Sequence, residues 1–193
     1  MTRIQQAISE SIQVKEKLLA DEQLLSLVGT VSDICTSAFC DGNKVLFCGN
    51  GGSAADAQHL AAELSGRFYF DRNPLPSEAL HVNTSYLTAV ANDYSYDEIY
   101  ARAIKGQGKK GDVLIGLSTS GNSPNIVKAF ETANKLGVIT IGITGESGGK
   151  MKDLADFLIN VPSTDTPRIQ ESHILIGHII CELIENKLFT KKQ

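Results

Sequence analysis

Tryptophan is absent from the sequence, and cysteine, proline and methionine are scarce, with 4, 5 and 2 residues among 193. The cysteines form no CxxC pair and lie within apolar runs, so we expect reduced, mostly buried thiols, as in a cytoplasmic protein. They are Cys35, Cys40, Cys48 and Cys181.

The sequence also lacks an excess of positive charge and a long apolar run. Its net charge of -4 argues against a general nucleic-acid or membrane-surface binder. The first 17 residues are amphipathic with charges throughout, so they predict no signal peptide, and no apolar run approaches a membrane span. We expect a cytoplasmic protein without a membrane partner or direct nucleic-acid binding, in which local donors hold any anionic ligand.

What is present is the composition of an ordinary soluble domain, with 42% hydrophobic and 21% charged residues. The chain shows no linker or low-complexity tract, so we expect a single domain over residues 1–193. Helices are expected in residues 1–42, and an α/β core with a C-terminal helix in residues 43–188. A polar tail is expected at residues 189–193.

Ile4, Ile8 and Ile12 recur on one side of the first predicted helix, so this helix is expected to cover a sheet face or form a subunit contact. Further along, strands alternate with helices, which predicts a parallel sheet with helices on both faces. The predicted strands are residues 44–48, 79–82, 113–117, 138–143 and 157–161.

The stretch GDVLIGLSTSGNSPNIVKA, residues 111–129, reads as a buried strand, a hydroxyl-rich loop and a helix. Pro124 suits the first turn of that helix, because its missing N–H is not needed there. In an open α/β sheet such a loop lies at the carboxyl edge of the strands, where helix N–H groups attract an anion. A cap that binds nothing is the alternative, but four hydroxyls around one glycine exceed what a cap needs. We therefore favour phosphate binding.

A second unit of the same kind runs from the strand at 44–48 through Gly49-Asn50-Gly51-Gly52-Ser53 into a helix. Glycines let a backbone approach a ligand closely. The turn lacks the third glycine of a dinucleotide fingerprint, and alone it would be weak evidence for a site.

His59 and Glu63 lie four residues apart on the helix that follows this turn, hence on one face. A histidine and a carboxylate so placed can share a metal, although a solvated helix face is the commoner explanation. The predicted C-terminal helix adds Gln170, Glu171, His173 and His178 in an otherwise apolar pattern. A joint site and satisfied core histidines are both open at this point.

Five segments together resemble the phosphoheptose isomerases, which are sedoheptulose 7-phosphate isomerases of the sugar isomerase (SIS) fold. The resemblance covers nearly the whole chain, and the hydroxyl loop alone indicates only a sugar-phosphate site. The segments are CGNGGSAADAQHLAAELSGR (48–67), AND (91–93), GDVLIGLSTSGNSPNIVKAF (111–130), ITGESGGKM (143–151) and TPRIQESHILIGH (166–178).

The resemblance implies a three-layer α-β-α SIS domain with a parallel sheet of about five strands and extra N-terminal helices. It implies an aldose–ketose isomerase of bacterial heptose biosynthesis, in which Glu63 and His178 are the catalytic acid/base pair. The implied zinc ligands are His59, Glu63, Gln170 and His178. The implied substrate-binding residues are Asn50, Gly51, Gly52, Ser53, Glu63, Asn92, Asp93, Ser118, Thr119, Ser120, Ser123 and Gln170.

The implied ligand set poses a geometric problem. Gln170 and His178 are eight residues apart, about 12 Å along a helix axis, whereas zinc ligands lie about 2 Å from the ion. Either Gln170 sits at a distorted helix start, or two chains contribute to one site. The tetramers of the resembled family favour the second solution. A carboxylate bound to zinc is also a weaker base, so Glu63 either leaves the metal during turnover or binds it only at rest.

Two other functions remain to be weighed. One relative of these isomerases is non-catalytic and binds the bacterial replication initiator, and it resembles this chain in AQH at 57–59 and in the Leu-Phe near the C-terminus. That function would require neither Glu63 nor His178, so we favour the isomerase. A SIS regulatory domain would need an accompanying domain for which this chain has no room. The glycoconjugate that uses the heptose, such as lipopolysaccharide, is not written in these residues.

Overall fold

A computed structural model describes residues 1–189 of the chain, so residues 190–193 of the tail expected at 189–193 lie outside the described part. Phe189 belongs to the last helix rather than to that tail. The α-helices are α1 (Arg3–Ala20), α2 (Glu22–Cys40), α3 (Gly52–Ser65), α4 (Thr84–Asp93), α5 (Ile99–Gln107), α6 (Pro124–Leu136) and α7 (Thr166–Phe189). The strands are β1 (Val45–Gly49), β2 (Ser77–Ala79), β3 (Val113–Ser118), β4 (Ile139–Thr144) and β5 (Phe157–Asn160). Short 3₁₀ turns cover Tyr96–Glu98 and Gly149–Asp153.

The strands form one sheet in the order β2-β1-β3-β4-β5, and every neighbouring pair is parallel. One apolar cluster joins the sheet to α1, α2, α3 and α7, and a second joins its other face to α4, α5 and α6. This three-layer arrangement confirms the predicted fold class. The strand order reverses between β1 and β3, so the loops after these two strands meet at the edge where α/β proteins bind ligands.

Local sequence signals account for most helix ends. Asp21 caps α2, because its side chain accepts a hydrogen bond from the Leu24 N–H at 3.0 Å. Pro124 stands in the first turn of α6, and Gly137 ends that helix in the left-handed region at φ 71°. The predicted place of Pro124 in the first turn of this helix is therefore confirmed.

Two local predictions were wrong. The second strand is Ser77–Ala79 rather than 79–82, because Val45 and Phe47 of β1 pair with Ser77 and Ala79. The expectation that no apolar run approaches a membrane span is also wrong for α2. By length and composition alone, this helix could cross a membrane. Core helices often have the same length and composition, so these two properties are weak evidence for a membrane span. In this fold α2 buries one face that includes Leu24, Val28 and Val31.

The isoleucine face of α1 lies at the protomer surface. Ile4, Ile8 and Ile12 are 74%, 56% and 51% exposed, whereas Val14 and Leu18 are buried. Polar contacts hold α1 on α7, including the Ser11 hydroxyl, which donates to the Glu171 carboxylate at 2.7 Å. The first helix thus leaves an apolar stripe that residues 1–189 of the protomer do not cover.

His173 is a core residue of α7 with no exposed surface. Neither ring nitrogen has a hydrogen-bond partner of normal geometry within the described residues. Burial lowers the pKa of His173 from 6.5 to about 4, against a smaller opposing effect of the Thr144 backbone. The imidazole is therefore neutral in the folded protein at pH 7, and its protonation opposes folding.

This burial predicts an acid-sensitive core. The folded pKa is depressed, so the unfolded chain takes up the proton first, and stability is lost as the pH falls from 6.5 towards 4. Between pH 7 and pH 5, wild type should lose about 2 kcal/mol more unfolding free energy than His173→Leu. Urea titrations at the two pH values measure this difference. Parallel losses in both proteins would show that His173 does not carry the effect.

Candidate active site

Two loops meet at the carboxyl edge of the sheet, and a pair of amides joins them. Asn50, after β1, donates to the Asn125 side-chain oxygen at 2.9 Å, and Asn125 donates back to Asn50 at 2.9 Å. Asn125 is buried in the first turn of α6, and the Tyr96 hydroxyl donates to Asn50 at 3.2 Å. The glycine turn after β1 and the predicted phosphate-binding loop after β3 are therefore fixed relative to each other.

The hydroxyl-rich loop after β3 is not a simple helix cap. Ser123 is the N-cap residue of α6, yet its side chain makes no capping hydrogen bond. Its hydroxyl lies 3.0 Å from that of Ser118, which is buried at the end of β3. The Ser120 hydroxyl accepts a hydrogen bond from the Asn122 N–H at 3.2 Å and is exposed.

A cleft of about 230 Å³ opens beside this loop. Side chains from the loops after β3, β4 and β5 and from the start of α7 line it, and most of them carry hydroxyl groups. They are Thr119, Ser120, Asn122, Glu146, Ser147, Ser163, Thr164, Thr166 and Ile169. Such a cleft, with a helix N-terminus at its side, suits a phosphorylated polyol.

The other predicted substrate residues occupy the same edge or its margin. Gly51 adopts φ 56° and precedes α3, which begins at Gly52, and Ser53 is buried in its first turn. Asn92 and Asp93 end α4 and are both exposed, with the Asn92 amide donating to Asp93 at 2.9 Å.

His59, Glu63 and His178 converge within one protomer. The Nε2 atoms of His59 and His178 are 2.9 Å apart, and His59 Nε2 lies 3.2 Å from a Glu63 carboxylate oxygen. One ligand atom from each of the three residues lies within 4.8 Å of the others. The structure therefore brings together residues that are up to 119 positions apart in the chain.

A glycine allows this convergence. Gly177 of α7 faces Leu60 of α3, and a Cβ at position 177 would overlap the Leu60 side chain. Because Gly177 precedes His178 and Leu60 follows His59, this close contact between the two helices lies next to the histidine pair. The missing side chain lets two imidazole rings on separate helices meet.

The three side chains fit a metal ion. Two ligands of a tetrahedral ion bound at 2.0–2.1 Å lie about 3.3 Å apart, close to the distances between His59 and each of its two neighbours. Imidazole nitrogen and carboxylate oxygen are ligands that zinc accepts, and three protein ligands leave a position open for substrate. A possible metal-binding group is therefore present.

Gln170, the fourth implied ligand, lies elsewhere in the protomer. A Cβ built on Gly52 would lie 2.8 Å from the Gln170 amide nitrogen, so this side chain rests on the start of α3. His59 is seven residues further, about 10 Å along the helix axis. Within this protomer, Gln170 therefore lies beside the glycine turn that precedes α3, away from the cluster of His59, Glu63 and His178.

Sequence reasoning missed several residues around the cluster. Asp56, one turn before His59, is half buried, and burial raises the pKa of its carboxyl although His59 and His178 oppose the shift. Phe68 stacks on His178 with ring centroids 5.6 Å apart. The i, i+3 spacing of Asp56 and His59 could have revealed the first residue, but no local pattern marks Phe68, which lies in a loop.

Comparison with known proteins shows the family to which this fold belongs. A family model described as the SIS domain matches residues 9–145, so the chain is a SIS-domain protein. It is 54% identical over 189 residues to the phosphoheptose isomerase of Aneurinibacillus thermoaerophilus, covering 98% of this chain and 96% of that protein. It is 56% identical over 183 residues to phosphoheptose isomerase 2 of Campylobacter jejuni, covering 95% and 91%.

A solved structure agrees. The phosphoheptose isomerase from Francisella tularensis superposes with a TM-score of 0.92 at 36% identity, covering 96% of this chain and all of that one. The chain therefore belongs to the phosphoheptose isomerase family of SIS-domain enzymes. None of these relatives carries a description as an initiator-binding protein, and the alternative function receives no support.

The cluster predicts a metal site that can be removed residue by residue. Zinc should bind purified protein, and His59→Ala or His178→Ala should weaken binding by more than the tenfold to hundredfold typical of an outer contact. Competition with a chromophoric chelator measures this affinity. His81→Ala is the matched control, because His81 lies outside the cluster. Equal affinity in all four proteins would contradict the site.

Proposed function

We propose that the protein interconverts sedoheptulose 7-phosphate and D-glycero-D-manno-heptose 7-phosphate. The observation that carries this proposal is the meeting of Glu63 and His178, a carboxylate and an imidazole from two helices, in a member of the phosphoheptose isomerase family. The neighbouring phosphate-type loops support it. Such a reaction needs a base at carbon and a group that moves protons between oxygens.

The chemistry follows from these residue types. The Glu63 carboxylate takes a proton from C1 of the ketose, and the C–H electron pair forms the C1–C2 double bond. The carbonyl oxygen at C2 takes a proton from His178, which gives an enediol. His178 then accepts the proton of the C1 hydroxyl, and Glu63 returns a proton to C2, so that the carbonyl is now at C1. An imidazole can both donate and accept a proton, which suits a group that moves protons between the two oxygens.

The phosphate and the polyol chain are assigned to the sheet edge. The hydroxyls of Ser118, Thr119, Ser120 and Ser123, with the N-terminal amides of α6, are proposed to hold the phosphate. The remaining proposed substrate contacts are Asn50, Gly51, Gly52, Ser53, Glu63, Asn92, Asp93 and Gln170.

The proposed cofactor is Zn²⁺, held by His59, Glu63, Gln170 and His178. Bound there, it would supply Lewis-acid stabilisation of the oxygens at C1 and C2. Since Gln170 rests on the start of α3 in its own protomer, we propose that it reaches the site of a neighbouring chain. A homotetramer with sites at subunit interfaces provides that arrangement, and the exposed isoleucines of α1 supply an apolar surface for it.

The cellular setting is proposed in the same way. Residues 1–193 act as a single SIS domain, in the cytoplasm, with a sugar phosphate as ligand and without a membrane or nucleic-acid partner. The product enters heptose biosynthesis for a glycoconjugate such as lipopolysaccharide.

An isomerase assay tests the function. Metal-loaded protein should convert sedoheptulose 7-phosphate to the aldose, and Glu63→Gln should abolish turnover, because the amide has nearly the same shape but cannot accept the proton. Thermal unfolding should show that the variant remains folded. A Glu63→Gln protein that turns over at the wild-type rate would exclude Glu63 as the base, and inactive wild type would exclude the reaction.

A mixing experiment tests the shared site. Glu63→Gln and Gln170→Ala proteins, each inactive alone, should partly regain activity after subunit exchange. If Gln170 serves the neighbouring chain, some interfaces combine an intact Glu63 with an intact Gln170. If each chain builds its own site, every site keeps one lesion and the mixture stays inactive despite exchange verified by mass spectrometry.

A further inference from the structure

The imidazole of His178 is held between two rings. The His59 ring approaches it edge-on, with centroids 5.1 Å apart and an interplanar angle of 63°. The Phe68 ring lies nearly parallel to it, with centroids 5.6 Å apart and an interplanar angle of 28°. Rotation about the terminal bond of a histidine is soft, so these two contacts decide the plane of the ring.

Phe68 belongs to the loop between α3 and β2, and a buried carboxylate holds this loop. Glu185 lies two turns beyond His178 on α7, with its side chain 1% exposed. It accepts hydrogen bonds from the backbone N–H groups of Phe68, Tyr69 and Phe70 at 3.1, 2.6 and 3.1 Å. Burial would raise the pKa of Glu185, but these donors and Arg72 outweigh burial and lower it. The carboxylate therefore fixes three consecutive loop residues.

Arg72 pairs with Glu185 and connects this loop to α3; we call the Arg72–Glu185 pair the clamp. Its Nε donates to Glu185 at 2.8 Å, and its side chain is 2% exposed. Its other N–H groups donate to backbone carbonyls of Glu63, Leu64 and Gly66 at 2.8, 2.8 and 3.1 Å. The last carbonyls of a helix have no partner within it. Arg72 therefore supplies hydrogen-bond donors to the last carbonyls of α3, including that of Glu63, the proposed base.

A role in folding alone would not require the stacking of Phe68 on His178. Tyr69 and Phe70 follow in the same loop and are 65% and 39% exposed. Phe68, in contrast, is half buried and turned towards the histidine pair. The clamp thus presents one aromatic ring of three to the imidazole.

We propose that Phe68 is a positioning residue for His178, and that Arg72 and Glu185 hold Phe68 in place. Phe68 acts through the imidazole plane, which it keeps aligned with His59 and Glu63. The expected effect of Phe68 on turnover rests on the proposed function of His178. The expected effect of Phe68 on metal binding does not depend on that function.

Phe68→Leu and Phe70→Leu form a matched pair for the test, since each removes one ring from the same loop. For Phe68→Leu we expect about tenfold weaker zinc binding, the lower range for an outer contact, and a similar fall in kcat. KM for sedoheptulose 7-phosphate should change less than twofold, because the phosphate loop is untouched. Phe70→Leu should match wild type, and Phe68→Tyr, which keeps the ring, should restore both quantities.

The readouts separate this proposal from the proposed function. Zinc affinity is measured by chelator competition without substrate, kcat and KM by turnover, and folding by thermal unfolding. If Phe68→Leu binds zinc and turns over like wild type, the positioning role is overturned while the isomerase stands. If wild type does not isomerise the substrate but Phe68→Leu still weakens zinc binding, the proposed function fails and the positioning role stands.

Arg72→Lys tests the clamp, since it keeps the charge but loses the planar fork. Like Phe68→Leu, it should lower kcat. The double variant that combines Phe68→Leu with Arg72→Lys should be no slower than the slower of the two single variants. Fully multiplied effects would mean that Arg72 does not act through Phe68. Unfolding midpoints of all variants establish that the compared proteins are folded.

Discussion

The close approach of α3 and α7 is the constraint on which the candidate site depends. Gly177 removes the side chain that would collide with Leu60, and the histidine on each helix adjoins this contact. Interiors pack tightly enough that one added methyl group must move its neighbours. Any enlargement at position 177 would therefore force the Leu60 side chain to shift next to the imidazoles, which couples the packing of the two helices to the geometry of the cluster.

The sheet and its loops could be predicted because their signals are local. Val113–Ser118 is an apolar run bounded by glycine and hydroxyl residues, and Pro124 and Gly137 mark the ends of α6. Parallel topology then follows from the alternation of elements. The pairing of His59 with Glu63 was equally visible, since it needs only the spacing of one helix turn.

What the sequence could not predict depends on contacts between distant segments. The Arg72–Glu185 pair joins positions 113 residues apart. The pattern of apolar residues in the two segments does not predict this contact. Ile4, Ile8 and Ile12 form a regular apolar face, but a helical pattern does not say whether the protomer itself covers that face. The shift of β2 to residues 77–79 likewise reflects its pairing with β1 rather than a propensity of its own.

The cleft beside the β3–α6 loop has a consequence for how the ligand arrives. Within the part of the chain that the structure describes, the lining side chains include Glu146 but neither lysine nor arginine. A dianion entering this protomer's cleft meets neutral dipoles, whose attraction acts only over a few ångströms, beside the Glu146 carboxylate, while the chain as a whole is negative. Long-range electrostatics therefore does not speed the encounter, and added salt should screen the repulsion between the two negative partners. For the proposed ligand, capture in this cleft is a matter of collision followed by desolvation, in which the number of hydrogen bonds decides how long the bound state lasts.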